Sequence, residues 1–316
     1  RGGDDEVRGW LDRAIDPNGS DPSTLAKSYH RLGNLAIDLG DYPRARQMFS
    51  SSLNVAESMH DQVAIANALN GLGVVASDTG DLNEARSLHG RSLAIRRKSE
   101  DKVGVARSLY NLGLVDAAVG NIASARRHLL EALEIKEYLN DAAGIAYSEW
   151  ALAAIDIRES NPESARELLT RSLNVFTELG DDHGLAYVLT EAGSLALLDG
   201  DNPKAYSLIL EALEIHHRLG DRLAVIANLE RLALAGPAGN EMELAAMLLG
   251  ATERLRASIG VPRTSIEQER ISALHKDCLD ELGAERFAQA FVSSSAKSTD
   301  QVIAAARELG PAFLEQ

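Results

Sequence analysis

The sequence is poor in sulfur, in aromatic rings and in positive charge. Of its 316 residues a single one is cysteine, Cys278. No internal disulfide can form, and a reducing, cytoplasmic compartment fits best. Aromatic residues make up 4% of the chain while 45% is apolar. That balance, carried by alanine and leucine, suits closely packed helices better than a sandwich or barrel. Lys and Arg number 32 against 47 Asp and Glu, a net charge of −15. The shortage of cations excludes a surface built to grip a phosphate backbone, so no direct nucleic-acid contact is expected. No uninterrupted apolar run approaches the roughly 18 residues of a membrane span, and no signal-peptide layout is present. Residue 1 is Arg, so the sequence reads as a segment of a longer protein.

Signs of site chemistry are equally sparse. No G-x-x-x-x-G-K-[ST] loop occurs, so this segment should not hold ATP by that route. Gly71-Leu72-Gly73-Val74-Val75-Ala76 fits the spacing of a dinucleotide-binding turn. The turn needs a strand before it, and here the run falls inside a helical pattern. His216 and His217 are adjacent and point to different sides of a helix. His275 and Cys278 share a face but lack further ligands, so no metal site is expected. Cys278 has no evident base partner. Scattered carboxylates read as a solvated face, and Asn18-Gly19-Ser20 as a polar turn. The expectation is a chain without catalytic residues, metal or cofactor.

What is present is a repeat of 40 residues. Gly40-Asp41, Gly80-Asp81, Gly120-Asn121, Ser160-Asn161 and Gly200-Asp201 recur in step, as do Ala45, Ala85, Ala125, Ala165 and Ala205. Leu53, Leu93, Leu133, Leu173 and Leu213 follow, with Asp61, Asp101, Asp141, Asp181 and Asp221 midway. Such a period marks a solenoid, whose units bury their apolar faces by stacking on one another. Each unit reads as two helices. Asp61 caps a helix over 62–78, Gly80 supplies a left-handed stop and Asp81 caps the next helix, with Glu84 placed to complete a capping box. Connections of two or three residues force antiparallel pairs. Gly33, Gly73, Gly113 and Gly193 on first helices, with the Ala45 series on second helices, permit close approach. The sixth unit has a first helix over 222–235, a break at Gly236-Pro237-Ala238-Gly239 and a second helix over 241–258. Helices are expected near 265–282, 284–294 and 299–309.

The pairing of Leu32-Gly33, Leu72-Gly73 and Leu112-Gly113 with the alanine series resembles the tetratricopeptide repeat, and Leu152-Ala153 and Leu232-Ala233 follow it loosely. The 40-residue length resembles the long-repeat form found in bacterial signalling regulators, kinesin light chain and spindle-orientation adaptors. The large aromatic common early in the first helix is kept only at Tyr29. The resemblance implies an all-α, right-handed superhelical solenoid of antiparallel helix pairs with a C-terminal helical cap. Its parts would be a truncated leading helix and connection over 1–22, six helix pairs over 23–258 and a capping region over 259–316. The tail, from Ala245-Ala246-Met247-Leu248-Leu249-Gly250-Ala251 through Ile259-Gly260-Val261-Pro262 to Leu282-Gly283-Ala284-Glu285-Arg286-Phe287, resembles the closing section of large bacterial regulators. Those regulators carry a nucleotide-binding ATPase module of the NB-ARC or STAND type, with a LuxR-type DNA-binding domain or another effector elsewhere. Any ATP would then belong to a neighbouring domain absent from this segment.

In such arrays first helices line the working face. Their outward positions here carry Lys27, His30 and Asn34, then Asn67 and Asn70, then Arg107, Tyr110 and Asn111. Tyr147 and Trp150 follow, then Tyr187, Thr190 and Glu191, with Glu230 and Arg231 last. Asn both donates and accepts, which suits an extended peptide backbone. Tyr and Trp give rigid contact area, and Arg107 suits a carboxylate. The expected role is a regulatory module binding a peptide, a protein or another domain of its own chain. The alternative is a free-standing peptide receptor or assembly scaffold.

Overall fold

The computed structural model describes residues 21–235, 241–294 and 296–309. The expected leading helix around Trp10 and the expected break over 236–239 lie outside them. Fourteen helices follow one another among the described residues, and none of these residues is in a strand. They are α1 (Pro22–Asp38), α2 (Tyr42–Ser58), α3 (Gln62–Asp78), α4 (Leu82–Lys98), α5 (Lys102–Ala118), α6 (Ile122–Tyr138) and α7 (Ala142–Arg158). The series continues with α8 (Pro162–Leu179), α9 (Asp182–Leu198), α10 (Asn202–Leu219), α11 (Arg222–Ala235), α12 (Glu241–Ile259), α13 (Ser265–Ser293) and α14 (Thr299–Leu309). Helices pack in consecutive pairs, the arrangement of a tetratricopeptide solenoid.

The boundaries follow from the aspartates. Asp61 Oδ1 accepts from the Val63 and Ala64 amides at 3.0 Å each. Asp101, Asp141 and Asp181 cap α5, α7 and α9 through the amides of Gly104, Gly144 and Gly184. These bonds satisfy donors that the first helical turn leaves unpaired. Asn121 and Asn161 stand at the same kind of position and make no side-chain cap bond. From α1 to α11 each connection passes through one left-handed residue. It is glycine at Gly80 (φ 85°), but Glu100 (φ 56°) and Ser160 (φ 58°) take the same conformation with a side chain attached. The expected capping box at Asp81 is only half made. The Glu84 amide reaches Asp81, but the Glu84 carboxylate is held by the Arg46 guanidinium at 2.8 and 2.7 Å. A reciprocal box occurs instead at Thr264 and Glu267, opening α13.

The described helices fall into two compact units that divide between Asn140 and Asp141. In the first, α1 to α6, the aromatic ring of Phe49 fills the space left by two glycines. A Cβ at Gly33 would stand 2.7 Å from that ring, and one at Gly71 would stand 2.4 Å from it. The pattern recurs: Gly73 faces the His89 ring and Gly113 faces Leu129. The glycines thus admit a large side chain from the partner helix as well as bringing backbones close. The alanines at 45, 85 and 125 are fully buried. Ser52 and Ser92 each donate to a first-helix carbonyl, Ala26 O and Ala66 O, at 2.9 Å. Gly71 and Gly73 lie within α3, packed against rings, and form no phosphate turn.

In the second unit, α7 to α14, Ser172 repeats that bond to Ala146 O at 3.0 Å. The helices after α12 fold back onto α10 and α12. Val302, Ile303 and Ala306 of α14 join a core with Ile209, Leu213 and Leu248. The Tyr206 hydroxyl donates to Ala306 O at 2.8 Å. The tail is therefore a helical cap that closes the last apolar face. Gly283 (φ 73°, ψ 161°) breaks α13 where two helices are expected.

Candidate functional site

In the first unit the expected residues lie on α1, α3 and α5, which pack side by side. Lys27 and Asn34 are exposed. The His30 ring lies 5.2 Å from that of Phe49, and its Nδ1 is buried with no partner among the described residues. Burial, then the charges of Arg107 and Arg96, lower its pKa. Asn67 Oδ1 accepts from Arg96 Nη2 at 2.7 Å. Arg96 is itself buried and donates to Asp101 Oδ2 at 3.0 Å and to Ser92 Oγ at 3.1 Å. Burial, and then Arg107, hold Arg96 below the usual guanidinium range. Asn111 Nδ2 donates to Asn70 Oδ1 at 2.9 Å, and His89 Nδ1 lies 3.2 Å from the same oxygen. Lys136 Nζ stands 4.3 Å from the Tyr110 ring centre. Arg107 is exposed, and among the described residues no carboxylate pairs with it.

The face of the second unit is built differently. The Tyr147 hydroxyl donates to Asp181 Oδ2 at 2.9 Å, and its ring meets that of Phe176 edge-on at 4.7 Å. Trp150 stacks on Tyr187 at 4.9 Å and donates Nε1–H to Tyr187 O at 3.1 Å. The Tyr187 hydroxyl reaches Asp221 Oδ2 at 3.3 Å. All three rings are half-buried bridges from one repeat to the next. Thr190 departs from the expected outward position. It is 5% exposed, and its hydroxyl is held by Ala186 O and Asn228 Oδ1, each at 2.9 Å. Glu191 is paired with Arg231 at 3.2 Å. Glu230 is buried beneath Arg256 and Arg263 at 2.9 and 2.8 Å. A threonine or glutamate with a long-range partner turns inward, because an unmet polar group in the interior is costly.

One set of residues escaped the sequence reading. On the second helices the positions Ala56, Arg96, Lys136, Phe176, His216 and Arg256 stand 40 apart, and from Arg96 to His216 each is buried. Arg96, Phe176 and His216 each lie against a first-helix residue of the same repeat (Asn67, Tyr147, Tyr187). Arg96 and His216 also lie beside the aspartate that caps the following helix. A polar residue recurring at one phase of an apolar stripe is the available signal. At His216 the ring lies 5.0 Å from Tyr187, and Nδ1 lies 3.7 Å from Asp221 Oδ2. Neither ring nitrogen has a hydrogen-bond partner among the described residues. Burial pushes its pKa down to about 4; Asp221 opposes this, while His183 and Arg231 add to it.

Other candidates fall away on geometry. Cys278 is buried and its thiol is pushed up to about 11 by burial and then by Asp277, the reverse of an activated nucleophile. In the cleft between α10 and α14, His217 is taken by Asp300 and Arg307 by Glu214. No described helix is long and apolar enough to cross a membrane.

The tetratricopeptide repeat family model matches residues 24–98 and 64–137. No curated protein matches the sequence. Among solved structures, NprR in complex with its cognate peptide NprX is 15% identical, with a TM-score of 0.63 over 98% of this chain and 86% of that one. A Rap protein complexed with the competence and sporulation factor is 13% identical, with a TM-score of 0.60 over 83% of this chain and 78% of that one. The apo form of RapI is 16% identical, with a TM-score of 0.57 over 81% and 87%. At these identities the likeness is one of fold.

Proposed function

We propose that the chain is a regulatory peptide-binding module that works without catalysis, and that the first unit holds an extended peptide across α3 and α5. The observation that carries this is Arg107, an exposed cation beside Arg96 and His30 with no carboxylate partner among the described residues. A guanidinium so placed binds a carboxylate in two-pronged fashion. Next to it, the Asn70–Asn111 pair leaves one amide donor and one amide acceptor without a bond from the protein among the described residues. Those are the two groups a peptide backbone needs. NprR, which has this fold, is solved with a peptide, and that supports a peptide as the class of ligand.

The finer reading is that the module is the sensor or autoinhibitory repeat region of a bacterial multidomain transcriptional or signalling regulator in the cytoplasm. The tail sequence from Ala245 to Phe287 supports it. ATP, where used, would be handled by a neighbouring domain. A ligand preferring one conformation of the module would shift the output of the effector by mass action.

The test is a random peptide display library selected on the 316-residue chain. The expected result is enrichment of peptides carrying an acidic side chain or a free C-terminus. Their binding should fall with Arg107→Glu while the melting temperature stays unchanged. Enriched peptides that bind parent and variant equally would overturn the assignment of Arg107, and a library with no enrichment would overturn the peptide reading itself.

A further inference from the structure

We infer that His183, His216 and Asp221 form a binding site for a divalent first-row transition ion of the zinc class. Their donor atoms, two imidazole nitrogens and one carboxylate oxygen, all lie within 4.8 Å of one another. The three come from successive elements: the first turn of α9, the last turn of α10 and the N-cap of α11. In sequence they are 33 and 5 residues apart, so only the fold brings them together.

The independent observation is the His216 ring. It is fully buried, yet neither of its nitrogens meets a hydrogen-bond partner among the described residues. A buried polar atom left in that state is destabilising unless something not in the chain satisfies it. The repeat itself shows what the position is for when nothing binds. One unit earlier the same place holds Phe176, packed edge-on against Tyr147 as His216 packs against Tyr187. The place of His183 is held one unit earlier by Ala143. Two coordinating side chains thus enter together where the preceding repeat has a phenyl and a methyl group.

The surroundings fit a bound ion. Donors about 2.0–2.1 Å from one metal lie about 3.4 Å apart in a tetrahedron. His216 Nδ1 and Asp221 Oδ2 are 3.7 Å apart, and the exposed His183 ring can turn to close the third side. Asp221 is held in place by both of its oxygens. Oδ1 accepts from the Ala224 amide at 2.9 Å, and Oδ2 accepts from the Tyr187 hydroxyl at 3.3 Å. Such outer bonds orient ligands in metal sites. The neighbouring cation Arg231 is paired with Glu191. Two imidazoles and one carboxylate favour zinc, cobalt or nickel over magnesium or calcium, which prefer oxygen alone. Three protein ligands leave a fourth position open to water or to a donor from a bound partner.

The experiment is titration of the tag-free 316-residue chain with zinc by calorimetry, and with cobalt by visible absorption. One ion per chain is expected, with the cobalt bands of a four-coordinate nitrogen and oxygen site. His183→Ala, at an exposed position, should weaken zinc by at least ~10-fold. His216→Phe, which installs the residue of the preceding repeat, should abolish it while keeping the melting temperature without metal. Failure of the parent chain to bind zinc at equimolar micromolar concentration would overturn the site. So would affinity unchanged in both variants, which would place the ion elsewhere.

Discussion

The hydroxyl of Tyr147 donates to Oδ2 of Asp181 at 2.9 Å, from the first helix of one repeat to the cap of the next. The same carboxylate's other oxygen accepts from the Gly184 amide at 3.0 Å and so starts α9. One aspartate therefore closes a helix end and ties two repeats. Burial first, and then Asp181, raise the tyrosine pKa, so the phenol stays protonated and remains a donor. Tyr147→Phe should cost about 1–2 kcal/mol, the worth of a half-buried bond to a charged group. Asp181→Asn keeps a capping oxygen but removes the charge, so a double-mutant cycle by urea denaturation reads the charge-assisted part of the bond. A coupling energy indistinguishable from zero would show that the contact holds nothing.

Gly71 is a second point of leverage. A methyl group there would stand 2.4 Å from the Phe49 ring, in a helix otherwise well suited to alanine. Propensity alone predicts that Gly71→Ala stabilises α3 by up to ~1 kcal/mol. Overpacking predicts a loss of about 1–3 kcal/mol, and we expect overpacking to win. Phe49→Leu in the same chain should recover much of the loss. Chemical denaturation of the two single variants and the double variant reads this directly.

His89 should make the first unit acid-sensitive. Burial pushes its pKa down to about 4 from the ordinary 6.5. Between those values the unfolded chain binds a proton that the folded chain refuses, so stability falls as pH falls. From pH 6.5 to pH 5 the loss from this group should be about 1.6 kcal/mol. Leu129 occupies the equivalent place one repeat later, so His89→Leu should fold and should lose less stability on acidification. Melting temperatures at pH 7.5, 6 and 5 for both proteins check the slope. Parallel slopes would refute the assignment.

Glu230 should matter more than any exposed ion pair. It is buried between Arg256 and Arg263. Removing its charge leaves two guanidinium groups without their main partner, which typically costs 3–5 kcal/mol when the pair is buried. Glu230→Gln should therefore unfold the cap region first. Hydrogen exchange of α12 and α13 against α7 and α8 would show the difference, and uniform protection would contradict it.

Much of the backbone was readable from the residues because its determinants are local. Asp61 begins α3 at Gln62 through its own side chain, and Gly283 interrupts α13 because its φ is 73°. Both depend on neighbours a few positions away. The faces were harder. Thr190 and Trp150 are outward by helical phase, yet each finds its partner 37 or 38 residues further on, at Tyr187 or Asn228. Which polar residue faces solvent and which locks the next repeat depends on side chains that periodicity alone does not pair. The gathering of His183, His216 and Asp221 was hidden for the same reason. In sequence His216 stands beside His217, whereas its companions lie 33 positions before it, on α9, and 5 positions after it, at the cap of α11.

The bond from Tyr206 to Ala306 bears on how such a chain can grow. Arrays of this kind lengthen when a block of forty residues is copied in tandem, and within one unit the junctions opened by Asp61 and Asp101 repeat the same aspartate cap. The junction after α10 differs, because α10 seats α14 as well as the following pair α11 and α12. A duplicated block inserted after α10 would strand α14 from its seat. Blocks added upstream of Asp201 would leave that seat intact. A copied block that keeps α14 on its seat must therefore enter upstream of Asp201.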